Sequence, residues 1–78
     1  MADKQLDPNA PEPLWQQLAD VLRKQISSGR TKPRQRIPSQ SELVDRYGVS
    51  RGTATKALSE LTKEGVVTFT PGKGYFAA

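Results

Sequence analysis

Cysteine and histidine are both absent from the 78 residues. Without cysteine there is no disulfide framework, and without either residue nearly every zinc site is excluded. The same absences remove a histidine-based triad and a cysteine nucleophile, so no catalytic, cofactor or metal-binding residue is assigned and an enzyme is not expected. Long hydrophobic runs are missing too: nothing approaches the roughly 18 apolar residues of a membrane helix. The opening Met1-Ala-Asp-Lys-Gln has no apolar stretch behind a basic start, so a secretory signal is not expected. Apolar residues make up only 35% of the chain and mean hydropathy is −0.65, which suits one small soluble domain with little core to spare.

What the chain has is positive charge, unevenly spread. The net charge is +4, yet residues 1–22 set Lys4 against Asp3, Asp7, Glu12 and Asp20. Residues 23–56 set nine cations against Glu42 and Asp45, and residues 57–78 balance. Arg23, Lys24, Arg30, Lys32, Arg34 and Arg36 lie in a stretch with no acid. Such a concentration suits phosphates, acidic proteins or anionic lipid, and is equally compatible with a solvated basic loop.

Residues 1–12 are polar and aperiodic and read as a mobile tail, followed by one domain over 13–78. Pro13 suits a first helical turn, and Leu14, Trp15, Leu18, Ala19, Leu22 and Ile26 follow at helical spacing up to Gly29. The first helix is therefore expected over Pro13–Ser28, with Trp15 in the core. Ile37 stands alone among basic residues and prolines, enough for a very short strand. Ser39 and Glu42 have capping-box spacing and open a second helix, with Leu43, Val44 and Tyr47 inward and Gly48 at its end. Ser50 caps a third, with Val49 and Ala54 as a hydrophobic staple, Ala54, Ala57, Leu58 and Leu61 inward, and Gly65 as its stop. Val66, Val67 and Phe69, then a loop of four to five residues ending at Gly74, then Tyr75 and Phe76, read as a hairpin with a basic tip. Tyr47, Phe69, Tyr75 and Phe76 are expected to seal the seam between helices and hairpin.

Two helices joined by Gly48-Val49-Ser50 match helix-turn-helix spacing, and a following hairpin makes the order that of a winged helix. The fold class expected is mainly α with a small β-hairpin. The outward face of the third helix carries Arg51, Gly52, Thr55, Lys56, Ser59 and Lys63. Arg51 sits where the helix macrodipole favours an acid, at a cost of a few tenths of a kcal/mol, roughly. An arginine there can chelate guanine O6 and N7, and Thr53 and Thr55 offer a hydroxyl and a methyl to a base. Gly52 permits close approach of the helix end to a phosphate or base edge. Lys73, between Gly72 and Gly74, can meet a phosphate or the minor groove. Each residue also has a plain reading as solvated surface, cap or turn. The partner fitted is a DNA duplex, with a protein surface as the alternative.

The motifs Leu14-Trp15-Gln16-Gln17-Leu18-Ala19-Asp20, Ile26-Ser27-Ser28-Gly29-Arg30-Thr31-Lys32-Pro33 and Ile37-Pro38-Ser39 resemble the N-terminal domain of GntR-type bacterial transcription regulators. So do Gly48-Val49-Ser50-Arg51-Gly52-Thr53, Glu64-Gly65-Val66 and Gly72-Lys73-Gly74-Tyr75-Phe76. The resemblance covers about residues 14–77. It implies a cytoplasmic winged-helix regulator, usually a repressor, that binds palindromic operators as a homodimer, with no membrane partner. Family contacts to DNA carry over to Ser39, Ser50, Arg51, Thr53, Gly72 and Lys73. Arg34, Arg36, Ser41, Gly52, Thr55, Lys56 and Gly74 complete the candidate set. The chain departs from the family pattern at Gln40 and Ser41, where Glu-Arg or Glu-X is common. It departs again at Thr55, where many members have arginine, and at Arg34, where many have glycine. The C-terminal effector-binding domain usual in the family is expected to be absent from these 78 residues.

Overall fold

A first helix begins where proline withholds its N–H. In a computed structural model, described here for residues 6–78, Pro13 is the N-cap of α1 (Leu14–Ser27), so the helix is one residue shorter at each end than expected. The Pro13 carbonyl accepts from the amides of Gln16 and Gln17 at 3.0 and 3.1 Å. Gln17 also links part of the expected tail to α1. Its side-chain amide donates to the Asp7 and Glu12 carbonyls at 2.9 and 2.8 Å and accepts from the Asp7 N–H at 2.7 Å. Residues 7–12 are thereby folded back onto α1, and Leu6 packs against the edge of the core. Residues 1–5 of the expected tail lie outside the described residues.

The second helix, α2 (Gln40–Tyr47), starts from a reciprocal cap. Ser39 Oγ accepts from the Glu42 N–H at 3.3 Å, and Glu42 Oε1 accepts from the Ser39 N–H at 2.7 Å. It ends at Gly48, whose φ of 69° lies in the left-handed region that a side chain disfavours. Two residues later Ser50 caps α3 (Arg51–Lys63). Val49 and Ala54 are both buried, as the staple requires.

Strands β1 (Val67–Thr70) and β2 (Gly74–Ala77) pair antiparallel, Thr70 facing Gly74, so the loop is three residues rather than four to five. The Lys73 N–H closes a turn on the Thr70 carbonyl at 2.9 Å, and Gly72 supplies the positive φ, 80°, that a Pro-Gly type II turn demands. The hairpin is not alone. Residues 34–37 run along the other edge of β2: Arg34 N–H to Ala77 O, Ala77 N–H to Gln35 O and Ile37 N–H to Tyr75 O, at 2.8–3.0 Å. Arg36 bridges to Phe76. The short strand expected at Ile37 therefore exists as a third, brief member of the sheet.

The core is built from Leu18, Ala19 and Leu22 of α1, Leu43 and Tyr47 of α2, and Ala54, Ala57, Leu58 and Leu61 of α3. Ile37, Val49, Val67 and Ala77 close it, and no polar residue among those described is buried. Three aromatic expectations need correction. Phe76 does not seal the seam: it faces Thr68 across the hairpin and lies outside this cluster. Trp15 is only half-buried and lies outside this cluster. Phe69 is 51% exposed; it stacks on its cross-strand partner Tyr75, centroids 4.8 Å apart, instead of sealing the seam. Its place on β1 explains this. Val67 takes the inward position nearest the helices, and Phe69 lies two residues farther out along the wing.

Arg34 alone among the described non-glycine residues has positive φ, 69°. It occupies the third position of a turn closed by Gln35 N–H on Lys32 O at 3.0 Å. A side chain there costs on the order of 1 kcal/mol. Arg34→Gly is therefore expected to raise unfolding free energy by about 0.5–1 kcal/mol, measured by urea denaturation. The capping box gives a second expectation. The Ser39 backbone N–H, helped by the Ser39 side chain and the charges of Arg36 and Arg46, holds the Glu42 carboxyl below its ordinary 4.5. A lowered folded-state pKa stabilises above the unfolded value, and the benefit disappears as pH falls through the folded value. Glu42→Gln should thus be less stable than wild type above about pH 5, with the gap closing below pH 4.5. Denaturation midpoints across that range report it.

Candidate nucleic-acid interface

The buried positions of α3 leave its opposite side to solvent, and each candidate there has a distinct surrounding. Arg51 is exposed and makes no ion pair among the described residues. No acid occupies the first turn of α3, so nothing answers the positive end of its dipole. Gly52 has ordinary helical φ, and an added Cβ would find only Ser50 Oγ, at 4.0 Å. The fold does not require glycine at this position.

Ser50 and Thr53 serve the fold first. Ser50 Oγ accepts from the Thr53 N–H at 3.1 Å and donates to Thr53 Oγ1 at 3.0 Å. The Ser50 hydroxyl is spent on the cap, while the Thr53 hydroxyl hydrogen remains to be donated. Gln40 reaches the Arg51 carbonyl at 3.5 Å, which brings the first turns of α2 and α3 side by side. Ser39, Ser41 and Arg51 therefore sit at one end of the helix pair, with Ser41 and Arg51 exposed.

The remaining candidates do not form one patch. Lys56 leans toward α1, its ammonium 5.0 Å from the centre of the Trp15 ring. Such a contact is worth about 0.5–1 kcal/mol at an exposed site. Thr55 turns the other way and, with Ser59, Thr62 and Lys63, lines an open groove whose far wall is Phe69 and Tyr75. Arg34, Lys73 and Phe76 lie together on the wing, and Arg36 passes over Gly74. Three features escaped the sequence: the Trp15–Lys56 contact, the Phe69–Tyr75 wall, and Thr68 and Thr70 beside Arg34. Only the last had a legible signal, the alternation Val67-Thr68-Phe69-Thr70.

Most acids of the domain are occupied elsewhere. Arg23 joins Asp20 and, at 2.9–3.0 Å, Glu64, so one guanidinium ties α1 to the end of α3. The hydrogen bond that Arg23 donates to the Glu64 carboxylate is the main reason the Arg23 pKa is raised. Glu60 lies 3.6 Å from Lys63, and Glu42 lies 3.8 Å from Arg36. Arg34, Arg51 and Lys73 keep no acid partner among the described residues, so their field reaches solvent.

Three helices, a turn centred on a left-handed glycine and a two-stranded wing carry a family signature: residues 14–76 match the bacterial regulatory proteins of the gntR family. The chain belongs to that family. It is 41% identical over 70 residues to the histidine utilization repressor of Klebsiella aerogenes, covering 90% of this chain and 29% of that protein. Its fold matches the DNA-binding domain of AraR solved in complex with operator ORX1, at TM-score 0.88 and 29% identity over the whole of both chains. YtrA from Sulfolobus acidocaldarius, a GntR-family transcription factor, matches at TM-score 0.89 and 29% identity, over 97% of this chain and 80% of that one. The winged helix-turn-helix is thus the fold of the chain, which spans less than a third of the repressor it resembles.

The Ser50 geometry predicts that Ser50→Ala lowers unfolding free energy by about 1 kcal/mol in chemical denaturation. Loss of function in that variant would reflect a frayed α3.

Proposed function

We propose that this gntR-family chain is the sequence-reading domain of a transcription repressor and binds duplex DNA. The observation that carries the reading is the start of α3. Arg51 stands exposed and, among the described residues, unpaired at a helix end free of acid, next to a glycine that the fold does not need. In the major groove that helix end sets Arg51 against a guanine edge, with Gly52 admitting the close approach. The Thr53 hydroxyl and Thr55 offer further base or phosphate contacts, and Ser39 and Ser41 a backbone contact at the start of α2. The wing, through Gly72, Lys73 and Gly74, lies at the adjacent minor groove. Lys56, held at Trp15, serves a flanking phosphate.

The AraR domain was solved with operator DNA and the Klebsiella relative is named as a repressor, which supports this assignment. Two copies on a palindromic operator, one per half-site, complete the proposal, with binding taking place in the cytoplasm.

Selection from a random duplex pool tests it by reporting half-site, spacing and symmetry together. An enriched palindrome is expected, with a log–log salt slope near −5 if about six phosphates are neutralised. A pool with no enriched duplex overturns the reading. On the selected site Arg51→Ala should cost about 1–3 kcal/mol and relax one base position. Gly52→Ala should separate fold from function, raising stability by about 0.5 kcal/mol while weakening operator binding. Paired denaturation and anisotropy titrations measure both.

A further inference from the structure

Side chains alternate across paired strands, so the wing has two unlike faces. Val67, Phe69, Tyr75 and Ala77 turn toward α3. Thr68 and Thr70 turn away, and Phe76, which faces Thr68 across β1–β2, shares their side. Arg36 bridges to Phe76 and joins that outer face; its Nε lies at ordinary contact distance, 3.6 Å, from where a Cβ on Gly74 would stand. Arg34, Thr68, Thr70 and Lys73 complete an open groove of about 330 Å³ around Phe76.

No acid lines this groove. Arg34 and Lys73 have no ion pair among the described residues, and the Thr68 and Thr70 hydroxyls make no hydrogen bond there. A second observation stands apart from charge. Arg34 holds the left-handed backbone that glycine adopts freely, and its guanidinium makes no hydrogen bond or ion pair among the described residues.

We infer that the outer face of the wing is a second backbone-phosphate surface, with Arg34 as its leading cation. The inference rests on the duplex-binding reading and adds a site to it. A minor groove is about 6 Å wide between two phosphate rails. A hairpin tip entering it meets one rail on the side of α3 and the other on the side of Arg34, Arg36, Thr68 and Thr70. Charge complementarity selects the second rail as the occupant, since the groove offers cations and hydroxyls and no counter-charge of its own.

Arg34→Gly is the decisive variant, because it removes the cation while relaxing the backbone, and weaker binding cannot then be a folding defect. Anisotropy titrations of the 78-residue chain with the selected duplex and a scrambled one, over about 50–200 mM salt, read affinity and slope. Arg34→Gly is expected to weaken both duplexes about 3- to 10-fold and to make the log–log slope shallower by about 0.9. Thr68→Val with Thr70→Val should weaken both without altering the slope. Wild-type affinity and slope in Arg34→Gly would overturn the inference, as would a changed base preference. The duplex reading itself would then still stand or fall on Arg51→Ala. A wild-type chain that prefers no duplex removes both.

Discussion

Everything about this surface follows from how α3 is buried. Ala54 and Ala57 let the helix approach its neighbours closely, and Leu58 and Leu61 fill the space toward α1, where Leu18, Ala19 and Leu22 meet them. With that face committed, the rotation of α3 is settled. Arg51 and Gly52 must then point outward, Lys56 must pass the rim of α1, and Thr55 must look toward the wing. A slip of one position would bury Lys56 and Glu60 in one direction, or Thr55, Ser59 and Thr62 in the other, in a core that holds no polar residue among those described.

Charge is arranged as carefully as packing. Exposed ion pairs contribute little to stability, so the bridge from Arg23 to Asp20 and Glu64 matters more for where it leaves negative charge. It draws two carboxylates to the far end of α3, while Glu42 is held in its cap and Glu60 stays with Lys63. The start of α3 and the outer wing are left cationic. A capping box thus has two effects: it begins α2, and it pins the Glu42 carboxylate to the Ser39 amide.

Elements bounded by strong local chemistry were legible from residue order alone. Ser39 with Glu42, Gly48, Ser50 with Val49 and Ala54, and Pro71-Gly72 each meet a backbone need that few other residues meet. Local rules failed where a contact bridges distant segments. Gln17 reaching back to Asp7 and Glu12 orders part of a segment whose composition reads as loose. Phe69 looked like core by residue type, yet its distance along the wing puts it in solvent. Departure from glycine at Arg34 was visible, but only the φ of 69° reveals that it strains the chain.

Residue order by itself determined the three helices, the tight turn between the last two, the hairpin and the outward set on α3, because caps, helical periodicity and turn chemistry act over a few neighbouring residues. Tertiary structure decided how that set is divided. Whether Lys56 meets Trp15, whether Thr55 meets Phe69, and whether residues 34–37 join β2 depend on contacts between segments about 14 to 41 positions apart. Those contacts are chosen by the packing of the whole core, and no local pattern encodes them.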